Sequence, residues 1–502
     1  MRKIFSRKWT QLSQRPRLSP YPNCFSMEAV TSIMKDYFGF CYKAVAMFFK
    51  ENLMFVYMLD DDYQLVEEKA FKLVKKEPKI FKRLIKKINQ ISTPFLKFCR
   101  RINQENLEKK TNAQLLNYYL TYHRLYKRVY GLYFFILSVE RVLMYYLKNY
   151  LIDKKIVPTK IDEILNILTT SSRAMFAKEE YLSLLKLAQQ IYYRKNWRNI
   201  FRGQVEKIEK KLYNHSTIRK MVKKHYQKYF WLFRDYEDPI LTERDIIKRL
   251  KDLFKKDPQK EFRRINKEGF ELKTKIKQIE KKYKTSQLNH RMFEAMRDGI
   301  YYKELRKKIV SLSLYYTDNL LIEIGRRTNL SLRQVRQFLV QEVELALLHK
   351  KDYQEILAER IKLGAFLVTK GKSVVWQGKE AQKLFSKFVK VPKGVKEIKG
   401  ITASPGHAKG KVKIVINPED CAKVQKGDIM VTVQAVPSFS SAIMRASALV
   451  ADGGTGITSH PATLAREAGI PCLINTKIAT QVLKDGDEIE VDANKGIIKI
   501  LK

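Results

Sequence analysis

Cysteine is scarce and scattered in this 502-residue chain. Cys24, Cys41, Cys99, Cys421 and Cys472 make no C-x-x-C pair and no His/Cys cluster at zinc spacing. That excludes a disulfide framework or a zinc site as the organising feature, and it suits a reducing, cytoplasmic setting. Long apolar runs are missing too. The longest, Gly131 to Val139, stops at Glu140 and Arg141, well short of the roughly 20 residues a membrane-spanning helix needs, so no membrane partner is expected. The opening MRKIFSRKW has no apolar core of signal-peptide type, although its Arg-rich, acid-poor start weakly suits a transit peptide. Acidic residues are the remaining deficit: 52 Asp and Glu stand against 98 Lys and Arg, a formal net charge of +46.

That excess is uneven. From Lys396 onward there are 14 basic and 11 acidic residues, whereas residues 1–395 hold 84 and 41. A basic surface of this size suggests a polyanionic partner such as nucleic acid. The basic residues are nevertheless dispersed among Ile, Asn, Tyr and Phe, as a general compositional bias would leave them. With 45% apolar residues the chain has ample material for cores of two or three domains.

From about Met27 to Glu380, apolar residues recur at three- and four-residue spacing, as in FKLVKKEPKIFKRLIKKI and LLNYYLTYHRLYKRVYGLYFFIL. This periodicity predicts a large α-helical region. After Phe388 the texture changes: KVPKGVKEIKGITASPGHAKGKVKIVINPED brings Pro and Gly punctuation and then alternation, and KGDIMVTVQ and DGDEIEVDANKGIIKIL repeat it. The expected architecture is multidomain: an N-terminal segment (1–26), a basic, all-α region (27–390) with room for two subdomains, and a compact α+β domain (391–502).

Within that last domain, DGGTGITSHPATLAREAGI places His460, one of seven histidines, between Thr458-Ser459 and Pro461. Thr458 or Ser459 can cap a helix, Pro461 suits its first position, and ATLAREA continues it. A histidine at a helix N-terminus stays neutral and nucleophilic, and the free N–H groups there favour an attached phosphoryl group. Gly453, Gly454 and Gly456 leave room for another surface to approach. A capping or loop histidine without chemistry is the alternative from these residues alone.

GITASPGHAKGKVKIV, KGDIMVT, MRASALVADGG, TSHPATLAREAGIPCLI and DGDEIEVDANKGIIKI resemble, in order and spacing, the mobile phosphohistidine (swivelling) domain of PEP-utilising enzymes such as phosphoenolpyruvate synthase and pyruvate phosphate dikinase. The resemblance covers residues 396–502. It implies that His460 is phosphorylated, with Gly456, Thr458 and Ser459 beside it, and that the chain is a phosphotransferase component. Thr455 interrupts the family's paired glycines, and Pro461 stands where alanine is commoner. Arg466 matches the family's A-R-E stretch and reads as a phosphoryl-binding residue or, lying about 120° around the helix from His460, as a structural ion-pair partner. His407 reads as surface.

In the family this domain is coupled to an ATP-grasp module and, in many members, a PEP/pyruvate barrel. Neither is evident, since the sequence ends at Lys502 and the N-terminal region lacks Gly-rich loops; Gly371-Lys372-Ser373 has Phe366 where a P-loop needs glycine. The implied cofactors, ATP with Mg²⁺ or PEP, are therefore expected to act through a separate ATP-grasp or PEP-binding partner, with no cofactor or metal bound directly and a small molecule or protein as phosphoryl acceptor. The helical region weakly resembles the segment preceding this domain in phosphoenolpyruvate synthase-like proteins and in rifampicin phosphotransferase, which implies an acceptor pocket within residues 27–390. The competing reading is a nucleic-acid-binding protein with a regulatory or degenerate swivelling domain. It rests on IEIGRRTNLSLRQVRQFLV, Ile322 to Val340, which scans as helix-turn-helix with Asn329 at the turn and Ser331 capping a second helix that carries Arg333 and Arg336.

Overall fold

The computed structural model describes residues 2–501 except 17, 52, 172–174, 233, 235, 237–239, 390–393, 437–438, 454–463 and 467. Helices dominate up to Phe388. Their central pair is Ile80–Gln104 and the 42-residue Gln287–Thr328, flanked by Asn112–Tyr133, whose start is fixed by a reciprocal Thr111/Gln114 capping box. The apolar stripes of these helices meet in one large core that includes Phe81, Ile88, Phe95, Tyr122, Tyr126, Leu320 and Ile324. A second core, with Leu184, Ile191, Ile208, Val222 and Leu250, belongs to the helices Phe176–Tyr192, Val205–Tyr213, Ser216–Tyr229 and Glu243–Leu253.

The helical region also holds an antiparallel sheet that helical periodicity does not announce. Its strands are β1 (Trp9–Pro16), β2 (Ala44–Lys50), β3 (Leu53–Leu59), β4 (Gly364–Thr369) and β5 (Lys372–Gln377), in the order β1-β3-β2-β4-β5. Alternate residues go to opposite faces. Val45, Met47 and Phe49 join the helical core, while Ala46 and Phe48 pack with Phe55, Ala381 and Phe385 of the helix Gly378–Phe388. The border expected at 26/27 falls inside the helix Pro20–Val30, and β1 pairs with β3, so the first residues are built into this layer.

The C-terminal domain is an eight-stranded mixed sheet of β6 (Glu397–Lys399), β7 (Ile401–Ser404), β8 (His407–Ile414), β9 (Ile429–Thr432), β10 (Ala448–Ala451), β11 (Cys472–Ile474), β12 (Glu488–Asp492) and β13 (Ile497–Ile500), ordered β6-β13-β12-β8-β9-β10-β11-β7. The consecutive neighbours from β8 to β11 are parallel. Both faces are covered: Met430, Leu449 and Ala451 point into one core and Ile429, Val431, Ala448 and Val450 into the other. This α+β unit follows a predominantly helical region, the fold class expected from the sequence.

Candidate functional site

The segment with the histidine leaves the carboxyl end of β10, beside the end of its parallel neighbour β9. Open α/β sheets carry their ligand sites outside the carboxyl ends of the strands. Gly456, Thr458, Ser459 and His460 lie outside the described residues; what the structure gives is the frame on either side of that segment.

At the entry, Asp452 is buried, 4% exposed. Its carboxylate accepts hydrogen bonds from Thr476 Oγ1 (2.7 Å), Ala479 N (2.6 Å), Thr480 N (3.0 Å) and the Thr480 hydroxyl. Burial pushes its carboxyl above the usual range, against these donors. Gly453 donates its N–H to Val433 O at 2.8 Å, and a β-carbon there would lie 3.0 Å from that oxygen, so the entry is a close backbone approach that suits glycine. Asn475 in turn donates to Gly453 O at 3.1 Å. Asp452 thus ties β10 to the turn after β11 and to the helix Ala479–Val482.

At the exit Ala465 is fully buried, and Arg466 donates Nη1–H to Ala403 O of β7 at 3.2 Å. The Cys472 thiol beside it is pushed up to about 12 by burial, partly opposed by the Arg466 charge. Gly469, in the left-handed conformation (φ 68°), turns the chain into β11. Arg466 therefore anchors the loop's exit to the sheet edge. Sequence reading did not single out Asp452, although an acid following the apolar ALVA and preceding glycine is a visible signal.

The other sequence features take these places. His407, on the exposed part of β8, sits 2.6 Å from Glu490 of β12, and this hydrogen bond holds the Glu490 carboxyl below its ordinary range. Lys370 and Gly371, both with positive φ (48° and 72°), form the two-residue turn of the β4/β5 hairpin. Ser373, the second residue of the return strand, donates to buried Glu28 at 2.7 Å. Gly371-Lys372-Ser373 is thus a hairpin corner rather than a phosphate loop.

In the segment read as helix-turn-helix, Asn329 (φ 54°) closes the long helix and Ser331 caps the next, as expected. That next helix, however, is only Leu332–Val335. Val335 is buried and Arg336 is engaged 2.9 Å from Asp318. No multi-turn recognition helix is available here to enter a major groove. Among the described residues no group of three or more His, Cys, Asp or Glu could hold a metal ion, and no helix is long and apolar enough to cross a membrane.

Comparison with known proteins points to the same part of the chain. Residues 424–496 match the family described as PEP-utilising enzyme, mobile domain. A probable phosphoenolpyruvate synthase of Archaeoglobus fulgidus is 48% identical over 101 residues, 20% of this chain and 13% of that protein. The phosphoenolpyruvate synthase of Aeropyrum pernix is 43% identical over 109 residues, 22% of this chain and 13% of its own length. The uncharacterized phosphotransferase YvkC of Bacillus subtilis is 36% identical over 170 residues, 32% of this chain and 20% of that protein. The chain thus spans a small part of each relative, and what it shares with them includes a PEP-utilising mobile domain.

Proposed function

We propose that this chain is a phosphotransferase component in which His460 accepts a phosphoryl group and passes it on. The observation that carries the reading is the mobile-domain match across residues 424–496, which brackets His460. The chemistry agrees. Neutral imidazole is available near pH 7, where its reference pKa of about 6.5 leaves the unprotonated form dominant, and the N–P bond it makes is reactive enough to be handed on. Thr458, Ser459 and Gly456, beside His460 in the sequence, are on this reading the residues that bind the phosphoryl group, and Arg466, just after that segment, is tied to Ala403. The phosphoryl group comes from ATP with Mg²⁺, or from PEP, on a separate ATP-grasp or PEP-binding protein, and leaves to a small molecule or a protein in the cytoplasm.

The test is radiolabelling followed by phosphopeptide mapping under alkaline conditions, which preserve phosphohistidine. The full chain alone should label poorly from ATP, and strongly once a donor protein is added. His460→Asn retains size and some hydrogen bonding but not the nucleophile, so label should vanish while the fold persists. His407→Asn should label like wild type. Label on another residue, or retained in H460N, sinks the proposal.

A further inference from the structure

A cleft in the helical region, of about 530 Å³ and partly open to solvent, has four basic residues among its walls: His123, Arg124, Lys127 and Arg128. They lie on the helix Asn112–Tyr133 as two adjacent i, i+4 pairs, so this one helix delivers all four to the same opening. The pair nearer the core is held from beneath. Glu28, 7% exposed, lies 2.7 Å from His123 Nε2 and 3.3 Å from Lys127 Nζ, and Ser373 Oγ donates to its other oxygen at 2.7 Å. Burial would raise the Glu28 carboxyl, but His123, Lys127 and Ser373 together bring it below its ordinary value. An ionised carboxylate only accepts, so His123 Nε2 carries the hydrogen. Lys127 is fixed a second time by Gly371 O at 3.3 Å, at the β4/β5 hairpin corner.

The outer pair is less committed. Arg124 and Arg128 are exposed at the rim; the Arg128 guanidinium is close enough to Tyr37 to oppose the rise that burial gives its hydroxyl, and the Tyr37 ring with Ile33 gives the cleft an apolar wall. Asp36 is the acid on that wall. Glu28 offsets Lys127 and Asp36 offsets one guanidinium, which leaves the opening net positive. We infer that this cleft is a binding site for a small organic anion, its phosphate or carboxylate group on Arg124, Arg128 and the Lys127 ammonium, its apolar body against Tyr37 and Ile33. Guanidinium groups meet such oxygens in bidentate fashion, and the buried Glu28 set keeps Lys127 and His123 oriented before anything binds. The cavity is far larger than an inorganic ion needs and falls within the range of small-molecule sites. None of this depends on His460 chemistry.

The test is calorimetric titration of the full chain at low ionic strength with two probes, inorganic phosphate and phenyl phosphate. Both should bind saturably, phenyl phosphate about threefold or more tighter because its ring buries apolar surface. Arg124→Ser/Arg128→Ser should weaken both by at least about tenfold, as expected when two charge-assisted donors are lost. Lys210→Ser/Lys211→Ser removes the same charge from the helix Val205–Tyr213, which packs in the other helical core, and should leave both affinities within about twofold. The four arginine and lysine positions are exposed, so matching thermal unfolding of both variants is the fold control. Equal weakening in the two variants, no preference for phenyl phosphate, or no saturable binding by wild type overturns the inference. Labelling of His460 is scored in a separate reaction: its absence refutes the phosphocarrier reading without altering the binding result.

Discussion

Asp452 is a single buried carboxylate on which several donors converge, and its position shortly before the histidine loop gives it a role that composition does not reveal. Asp452→Ala would strand Ala479 N and the Thr480 donors and leave Thr476 Oγ1 only Ala451 O, at 3.2 Å. Each unsatisfied buried donor costs about 1–3 kcal/mol, part of it recovered by relaxation and water, so the C-terminal domain should lose about 3–5 kcal/mol. Asp452→Asn keeps one acceptor oxygen and should lose less. Urea unfolding followed through the C-terminal domain gives both values, and an Ala variant as stable as wild type would remove Asp452 from its anchoring role. At this scale the sequence was legible where chemistry has a local signature: His460 stands out because threonine, serine and proline surround it. Asp452 and Glu28 did not stand out, because their partners are 24 to 28 and 95 to 345 positions away, and sequence spacing carries no trace of such contacts.

Elements were legible in proportion to how one-sided their burial is. After Phe388, β8 and β12 alternate, and the long helices show continuous stripes; but β10 is buried throughout, and the stretch SFSSAIMRASALVA, whose spacing reads as a helix, forms among its described residues only the helix Ser440–Ile443 before ending in that strand. Likewise β2, AVAMFFK, and β3, LMFVYML, are buried on both faces, so they read as unbroken apolar runs that a buried helix would match equally well. The end of the 42-residue helix shows how a turn can be read correctly and its sequel missed. Leu330 donates its N–H back to Gly325 O at 2.8 Å, and a β-carbon on Gly325 would lie 2.4 Å from Leu330 O and 3.2 Å from Val335 Cγ2. The chain folds tightly over that glycine, and the buried Val335 and the Arg336–Asp318 pair hold the succeeding residues against the core instead of letting them extend as a free helix. Gly325→Ala should therefore cost about 2–4 kcal/mol, since backbone must move. Gly299→Ala, in the same helix, meets chiefly the mobile end of Ile136, at 2.6 Å, and should cost about 1 kcal/mol after its gain in helix propensity. Chemical denaturation of the two variants decides it; equal costs would mean that the turn yields as easily as a side chain.

For the whole molecule, the contrast in charge and texture on either side of Phe388 foretold two regions built differently, and their buried acids imply that they respond differently to pH. In the helical region Glu28 and Glu180 are buried, yet hydrogen bonds and charge from His123 and Lys127, and from His225 and Arg249, overcome the burial and hold both carboxyls below their ordinary value of 4.5. A depressed folded-state value means that the unfolded chain binds the proton more readily. The stability these acids contribute is present above the unfolded value, about 4.3, and is lost as pH falls through the lower folded values. In the C-terminal domain Asp452 has the opposite sign: its raised carboxyl contributes most below the unfolded value and loses that contribution as pH rises. Asp420, Glu490 and Asp492 there are lowered, against burial, by Lys423 and the backbone of Asn417 and Ile416, by His407, and by Lys495 and the backbone of Asn494, respectively, but all three are partly exposed, so solvent screens what they contribute. Acidification below about pH 4 should accordingly unfold the helical region first. Residues 396–502 expressed alone, a unit with its own sheet and two cores of its own, should still unfold cooperatively with urea at a pH where the helical signal of the full chain has gone. Circular dichroism of the full chain and of that segment between pH 7 and about pH 3 is the measurement. A segment disordered at neutral pH would refute its independence, and a helical region that outlasts it in acid would refute the assignment of these buried carboxylates as the acid-sensitive elements.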